Sequence, residues 1–205
     1  MVVAHSNTIK LCIMRKLSIG SFNTKSISSD LKQGIKRLSA GGFKQIFSRI
    51  DQLGIKNGVD KLGIDKFINQ CAYFAAGSGL VTGIGGFSSM LIGVPLDVIN
   101  LITQQFRVTL AISYHQTGSY KINFEDFFKI VASTVKADTK LAISKNIMEE
   151  VAEKLVLTLG SKTSQRLVPV VGGIIGGTVN YFFIKGVAKT LLNPEAKEIK
   201  FPISK

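Results

Sequence analysis

Residues 67–96 carry no formal charge, and six of those thirty residues are glycine: Gly77, Gly79, Gly83, Gly85, Gly86 and Gly93. A stretch of that length with nothing ionic admits few roles. It can cradle a phosphate, cross a membrane, or form helices that approach one another closely where side chains are missing. A second uncharged run, "LVPVVGGIIGGTVNYFFI" at residues 167–184, lies between Arg166 and Lys185 and poses the same question.

The phosphate readings fail on context. Gly77, Gly79 and Gly83 come near a dinucleotide fingerprint, and Asp97 falls twenty residues after Gly77, where a ribose-binding acid belongs. The third glycine is one place late, however. The preceding "NQCAYFAA" favours helix over strand, and no strand-helix alternation follows. In "LGSKTS", Ser161 stands where a P-loop requires glycine before Lys162. Both runs are long enough, or nearly so, for the roughly 20 residues of a membrane span, so a two-span integral protein stays open on length. Gly172, Gly173, Gly176 and Gly177 repeat at four-residue spacing, as Gly83, Gly85 and Gly86 cluster in the first run, and both patterns suit close helix contact. Such contact occurs equally in a buried hairpin and in a membrane.

Charge directs the choice of partner. The chain of 205 residues has 26 Lys and Arg against 13 Asp and Glu, a formal net charge of +13. Residues 1–66 hold 12 of the basic residues and 4 of the acidic ones, an excess of +8. Nucleic acid is disfavoured, because no RNA-binding aromatic motif, zinc-finger spacing or basic-zipper region is present and there is no tryptophan for stacking. An anionic membrane surface uses the same charges without any motif, at about 1 kcal/mol per Lys or Arg close to the lipid. Cys12 and Cys71, 59 residues apart with only His5 and His115 to join them, suit no metal site and read as reduced thiols of an intracellular protein. The sequence asks for no cofactor. The apolar stretch near Leu11 is too short for a secretory signal, while the Ser-, Lys- and Arg-rich start suits a flexible basic tail or an organellar transit segment.

Helical periodicity runs through the rest. Ser28 or Ser29 caps a short helix bearing Leu31, Ile35 and Leu38 that stops at Gly41 and Gly42. Phe43, Ile46, Phe47, Ile50 and Leu53 form one stripe of an amphipathic helix ending at Gly54, a core-facing helix or an in-plane membrane helix. Two further helices are expected within residues 122–140 and 141–160, the second with a Glu150/Lys154 surface pair. No series of alternating strands occurs, so the expected fold is all-α. It is a single helical domain over residues 28–192, in which two glycine-rich apolar segments pack together, between a basic tail (1–27) and a polar tail (193–205).

Beyond Pro95 the pattern sharpens. Asp97, Asn100, Gln104, Arg107, Ala111 and Tyr114 follow at steps of 3, 4, 3, 4 and 3, within a sector of roughly 100° on a helix. The opposite side is apolar, from Val98 to Ile112, so the stripe is either a solvated face or a polar seam.

The two glycine runs and this stripe together resemble the EcsC family, bacterial proteins named for a gene beside an ABC transporter operon. The likeness rests on "GLVTGIGGF", on "PLDVINLITQQFRVTLAISYHQTG" and on "LVPVVGGIIGGTVNYFFIKGVAKTLL", and covers residues 62–191. His115-Gln116-Thr117-Gly118 departs from the family's habit of an aromatic followed directly by glycine. The resemblance implies an all-helical domain with membrane association and no established reaction. It also implies that Asp97, Asn100, Gln104, Arg107, Tyr114 and Asn180 line one polar seam between the glycine-rich helices, which holds a lipid headgroup or another small anion or else fixes the packing. The expected function is a non-enzymatic, lipid-interacting or transporter-accessory module at the cytoplasmic face of a membrane, with anionic lipid or a membrane protein as partner. The alternative is a hydrolase acting on a membrane-derived substrate through Asp97 or Tyr114. No catalytic residue is assigned.

Overall fold

The computed structural model describes residues 29–77, 94, 96–135, 137, 144–160 and 169–193, and for 29–32, 156–160 and 169–176 it describes the backbone path alone. Among the described residues there is no strand, and the fold is all-α. The helices are α1 (Ser29–Arg37), α2 (Phe43–Ser48), α3 (Gln52–Leu62), α4 (Ile64–Ala76), α5 (Leu96–Thr117), α6 (Phe124–Thr134), α7 (Lys145–Gly160) and α8 (Pro169–Leu192). A wide π-type turn at Leu38–Gly42 bends α1 into α2 through Gly41, so the expected break at the glycine pair is a kink between continuous helices.

The single helix expected from Phe43 to Gly54 is two. Its apolar stripe predicts no interruption, but Asp51 adopts extended backbone and its Oδ1 accepts the Gly54 N–H at 2.9 Å, which starts α3 anew. Gly54 therefore sits in the first turn of α3, and Leu53 projects outward, half exposed. Gly63 (φ +79°, ψ 156°) then takes a positive-φ, extended conformation open to glycine, which lets α3 end and α4 begin within one residue.

At the centre lies α5, which packs against α3, α4, α6 and α8. Val98, Ile99, Leu101, Ile102, Phe106, Val108, Leu110 and Ile112 are buried, as the apolar pattern implies. So, however, are Asn100, Gln104, Gln105, Thr109 and Ser113: this helix is enclosed on nearly all sides and has no wet face. Beneath it Phe43, Phe47, Phe106, Phe124, Phe127 and Phe128 form an aromatic cluster, with ring centroids 4.7–6.1 Å apart in tilted and edge-on pairs.

None of the described helices is long and apolar enough to cross a membrane. The first uncharged run is divided: residues 67–76 belong to α4, which stops at Ala76, and Leu96 opens α5. The second run enters α8, which continues past it through Lys185 and Lys189.

Candidate functional site

The site is built from three helices. α4, α5 and α8 pack against one another in all three pairs, and α4 runs antiparallel to the other two. On α5 the contact residues Asn100, Arg107 and Tyr114 advance by seven. Phe74, Phe67 and Asp60 answer them by seven in the reverse direction: Asn100 Nδ2 donates to Phe74 O at 2.9 Å, the Arg107 guanidinium lies 5.7 Å over the Phe67 ring, and Tyr114 Oη donates to Asp60 Oδ1 at 2.7 Å. A seven-residue step is nearly two helical turns, so one edge of α5 stays against α4 and α3 along its whole length.

The upper part of this edge meets the C-terminal end of α4. The last four carbonyls of any helix lack intrahelical donors, and burial makes each costly unless another donor arrives. Here the Gly77 N–H takes Tyr73 O at 3.0 Å, Asn100 takes Phe74 O, and Asn180 Nδ2 from α8 takes Ala75 O at 3.1 Å. Asn100 and Asn180 are both buried. The fourth carbonyl, Ala76 O, faces Gly177 of α8 so closely that a Cβ built on Gly177 would stand 2.7 Å from it. The Asn100 and Asn180 amides thus cap two of these carbonyls from neighbouring helices, and the missing side chain of Gly177 lets α8 come up against a third. Gln104, one turn below Asn100 and buried, donates through Nε2 to Asn100 Oδ1 at 3.2 Å and fixes which way that amide points.

Of the six residues expected in the seam, the structure therefore brings Asn100, Gln104 and Asn180 to one place. Arg107 is half-buried a turn further down. It lies beside Cys71, whose thiol is pushed up to about 11 by burial, with the guanidinium pulling the other way. Cys71 is thus a buried, free, protonated thiol rather than a nucleophile. Tyr114 belongs to the opposite end of α5. There it bridges to α3 through Asp60, which Lys56 also holds at 2.5 Å, and the two partners keep the Asp60 carboxyl below the usual carboxylate range. Asp97 sits half-buried in the first turn of α5. Seventeen residues, about 25 Å of helix, separate it from Tyr114, so the two cannot serve one reaction centre. Of the expected packing glycines, Gly177 makes the close approach just described. Gly172, Gly173 and Gly176 lie in α8 where the backbone path alone is described, and Gly83, Gly85 and Gly86 lie outside the described residues.

Several buried polar atoms in and beside the seam have no hydrogen-bond partner among the described residues: Gln104 Oε1, Asn180 Oδ1, Arg107 Nε, Gln105 Oε1 and Thr109 Oγ1. Gln105 and Thr109, with Ser113, form a second buried polar row at i, i+4 and i+8 that the sequence reading passed over. Gln105 Nε2 donates to Thr134 Oγ1 of α6 at 3.2 Å. Also missed were Gln52, which gives and receives a backbone hydrogen bond at Ile122, and Lys185, which donates to Asn69 Oδ1 at 2.8 Å across α8 and α4. No three His, Cys, Asp or Glu side chains converge on a metal-sized site among the described residues. No family model matches the chain, and no curated protein and no solved structure matches it either.

Proposed function

We propose that the chain is a non-enzymatic helical module of the EcsC type that works at an anionic membrane surface. The observation that carries this reading is the charge, +13 on 205 residues with an excess of +8 in residues 1–66. The seam bears on where lipid would be met. Asn100 and Asn180 have their donors committed to the backbone of α4; of the atoms left over, Gln104 Oε1 and Asn180 Oδ1 are acceptors, and the one donor, Arg107 Nε, lies a turn further down beside Cys71. An anion needs donors, so this row suits a structural clasp better than a headgroup pocket. Lipid is then met at the outside of the molecule, and a membrane-protein partner of the transporter-accessory kind would be met at the same surface.

Sedimentation with vesicles tests this. The protein should pellet with vesicles containing phosphatidylglycerol, pellet less with phosphatidylcholine alone, and be released as salt rises and screening shortens the reach of its charges. Equal binding to both vesicle types at low salt would overturn the proposal.

A further inference from the structure

Six large apolar side chains stand exposed among the described residues, and four of them gather at one end of the three-helix core. Tyr73 (67% exposed) and Phe74 (43%) occupy the last turn of α4, Leu96 (60%) opens α5, and Phe182 (46%) lies on α8. Tyr181 joins them, its ring centroid 5.2 Å from Tyr73 and 5.6 Å from Phe182. The capped end of α4 places these residues together. Asn100, one turn after Leu96, holds the Phe74 carbonyl, and Gly177, one turn before Tyr181, lies against the Ala76 carbonyl.

We propose that this aromatic end is the face through which the protein enters the headgroup layer of an anionic bilayer; the inference rests on the membrane reading above and adds the orientation. Three observations favour lipid as the occupant. Two of the five side chains are tyrosines, whose apolar rings and polar tips suit the boundary between acyl chains and headgroups. The charge is complementary: α8 has no carboxylate, and Lys185, one turn beyond Tyr181, adds a half-buried ammonium that donates to the neutral amide oxygen of Asn69, which does not cancel its charge. The carboxylate that these three helices bring to this end is Asp97, which is half-buried. Finally, the chain leaves α4 and enters α5 at this end, and no formal charge stands in the sequence between Ala76 and Leu96 to oppose apolar surroundings there.

The chain has no tryptophan, which makes a single introduced indole a background-free probe. Phe74→Trp and Phe182→Trp are compared with His115→Trp, an exposed position in the last turn of α5 at the far end. In buffer the first two should emit at long wavelength, as exposed indoles do. With phosphatidylglycerol vesicles they should shift to shorter wavelength and be quenched by brominated acyl chains, while the His115→Trp indole does neither. The double variant Phe74→Ser/Phe182→Ser should bind vesicles at least about tenfold more weakly, the loss expected when two partly exposed rings no longer bury. If the protein sediments with vesicles and the two indoles do not move, another face docks, and this inference falls while the membrane reading stands. Emission already short in buffer and unchanged by vesicles means that the chain itself or a second copy covers the patch, and this also overturns it. Failure to bind anionic vesicles at all removes both.

Discussion

Replacing Gly177 with alanine sets two opposing effects against each other. In a helix interior the change relieves glycine's conformational entropy, worth about 1 kcal/mol. At this position, though, the new Cβ would lie 2.7 Å from Ala76 O and 3.5 Å from its carbonyl carbon, and the obstacle is backbone rather than the end of a mobile side chain. α4 and α8 must separate by roughly half an ångström to restore normal contact. Overpacking of this kind costs about 1–3 kcal/mol, and the same shift stretches the Asn180–Ala75 hydrogen bond, removing up to about 1 kcal/mol more. The net expectation is a loss of about 1–3 kcal/mol. Gly186 supplies the control, for it lies in the same helix with nothing within 4 Å of its virtual Cβ, so Gly186→Ala should gain about 0.5–1 kcal/mol. Urea denaturation followed by circular dichroism should therefore move the two midpoints in opposite directions at unchanged slope. In thermal melts the two variants should differ by roughly 5–15 °C. If both variants move the midpoint in the same direction by the same amount, the close approach of α8 to the end of α4 is not what holds this region.

The amide clasp makes its own prediction: Asn180→Ala leaves the buried Ala75 carbonyl without that donor and should cost about 1–3 kcal/mol in urea melts, Asn100→Ala at the part-buried Phe74 carbonyl about 0.5–1.5 kcal/mol, and a loss under about 0.5 kcal/mol for Asn180→Ala would show that water takes over the role. Thr109→Val removes a fully buried hydroxyl that has no partner among the described residues while keeping the side chain's shape, so it should stabilise by about 1 kcal/mol; destabilisation would mean that the hydroxyl is bonded in solution. Acid titration probes the junction of α3 with α5. Lys56 and Tyr114 hold the folded-state pKa of Asp60 below its unfolded value, so its contribution is present above the unfolded carboxylate range and is lost as pH falls through the folded value. Asp60→Asn should flatten the acid limb of stability against pH, the two proteins converging at low pH, and parallel curves would remove Asp60 from that limb.

Helical periodicity made α5 legible from its sequence, because a polar row at steps of three and four must lie on one edge of a helix whatever it touches. What it touches was not legible. Side-chain patterns are silent about backbone carbonyls, and the partners of Asn100 and Asn180 are the carbonyls of Phe74 and Ala75, 26 and 105 residues away. A solvated stripe and a stripe that caps a neighbouring helix share one pattern. Gln105, Thr109 and Ser113 show the same blindness from the other side: their four-residue spacing is plain in the sequence, but apolar neighbours on both flanks hid it within a face read as apolar. The break between α2 and α3 failed for a local reason. Ile50 and Leu53 continue the apolar stripe beyond Ser48, and this outweighed the capping signal of Asp51 three residues before Gly54. Gly177 was legible as a site of contact by its spacing alone, whereas its partner, the end of α4, was not.

The clasp also has a place in time. A ribosome builds the chain from the N-terminus at about 5–20 residues per second, so α4 emerges well before the residue that completes its last turn. Asn100 follows Phe74 after 26 residues, but Asn180 follows Ala75 only after 105, an interval of roughly 5–20 s. Until α8 arrives, the Ala75 carbonyl lacks the Asn180 amide, which leaves the last turn of α4, with Tyr73 and Phe74 on it, short of one of its partners. The three-helix core therefore cannot close during early synthesis, and a chain truncated before α8 should carry the aromatic end on an unfinished helix.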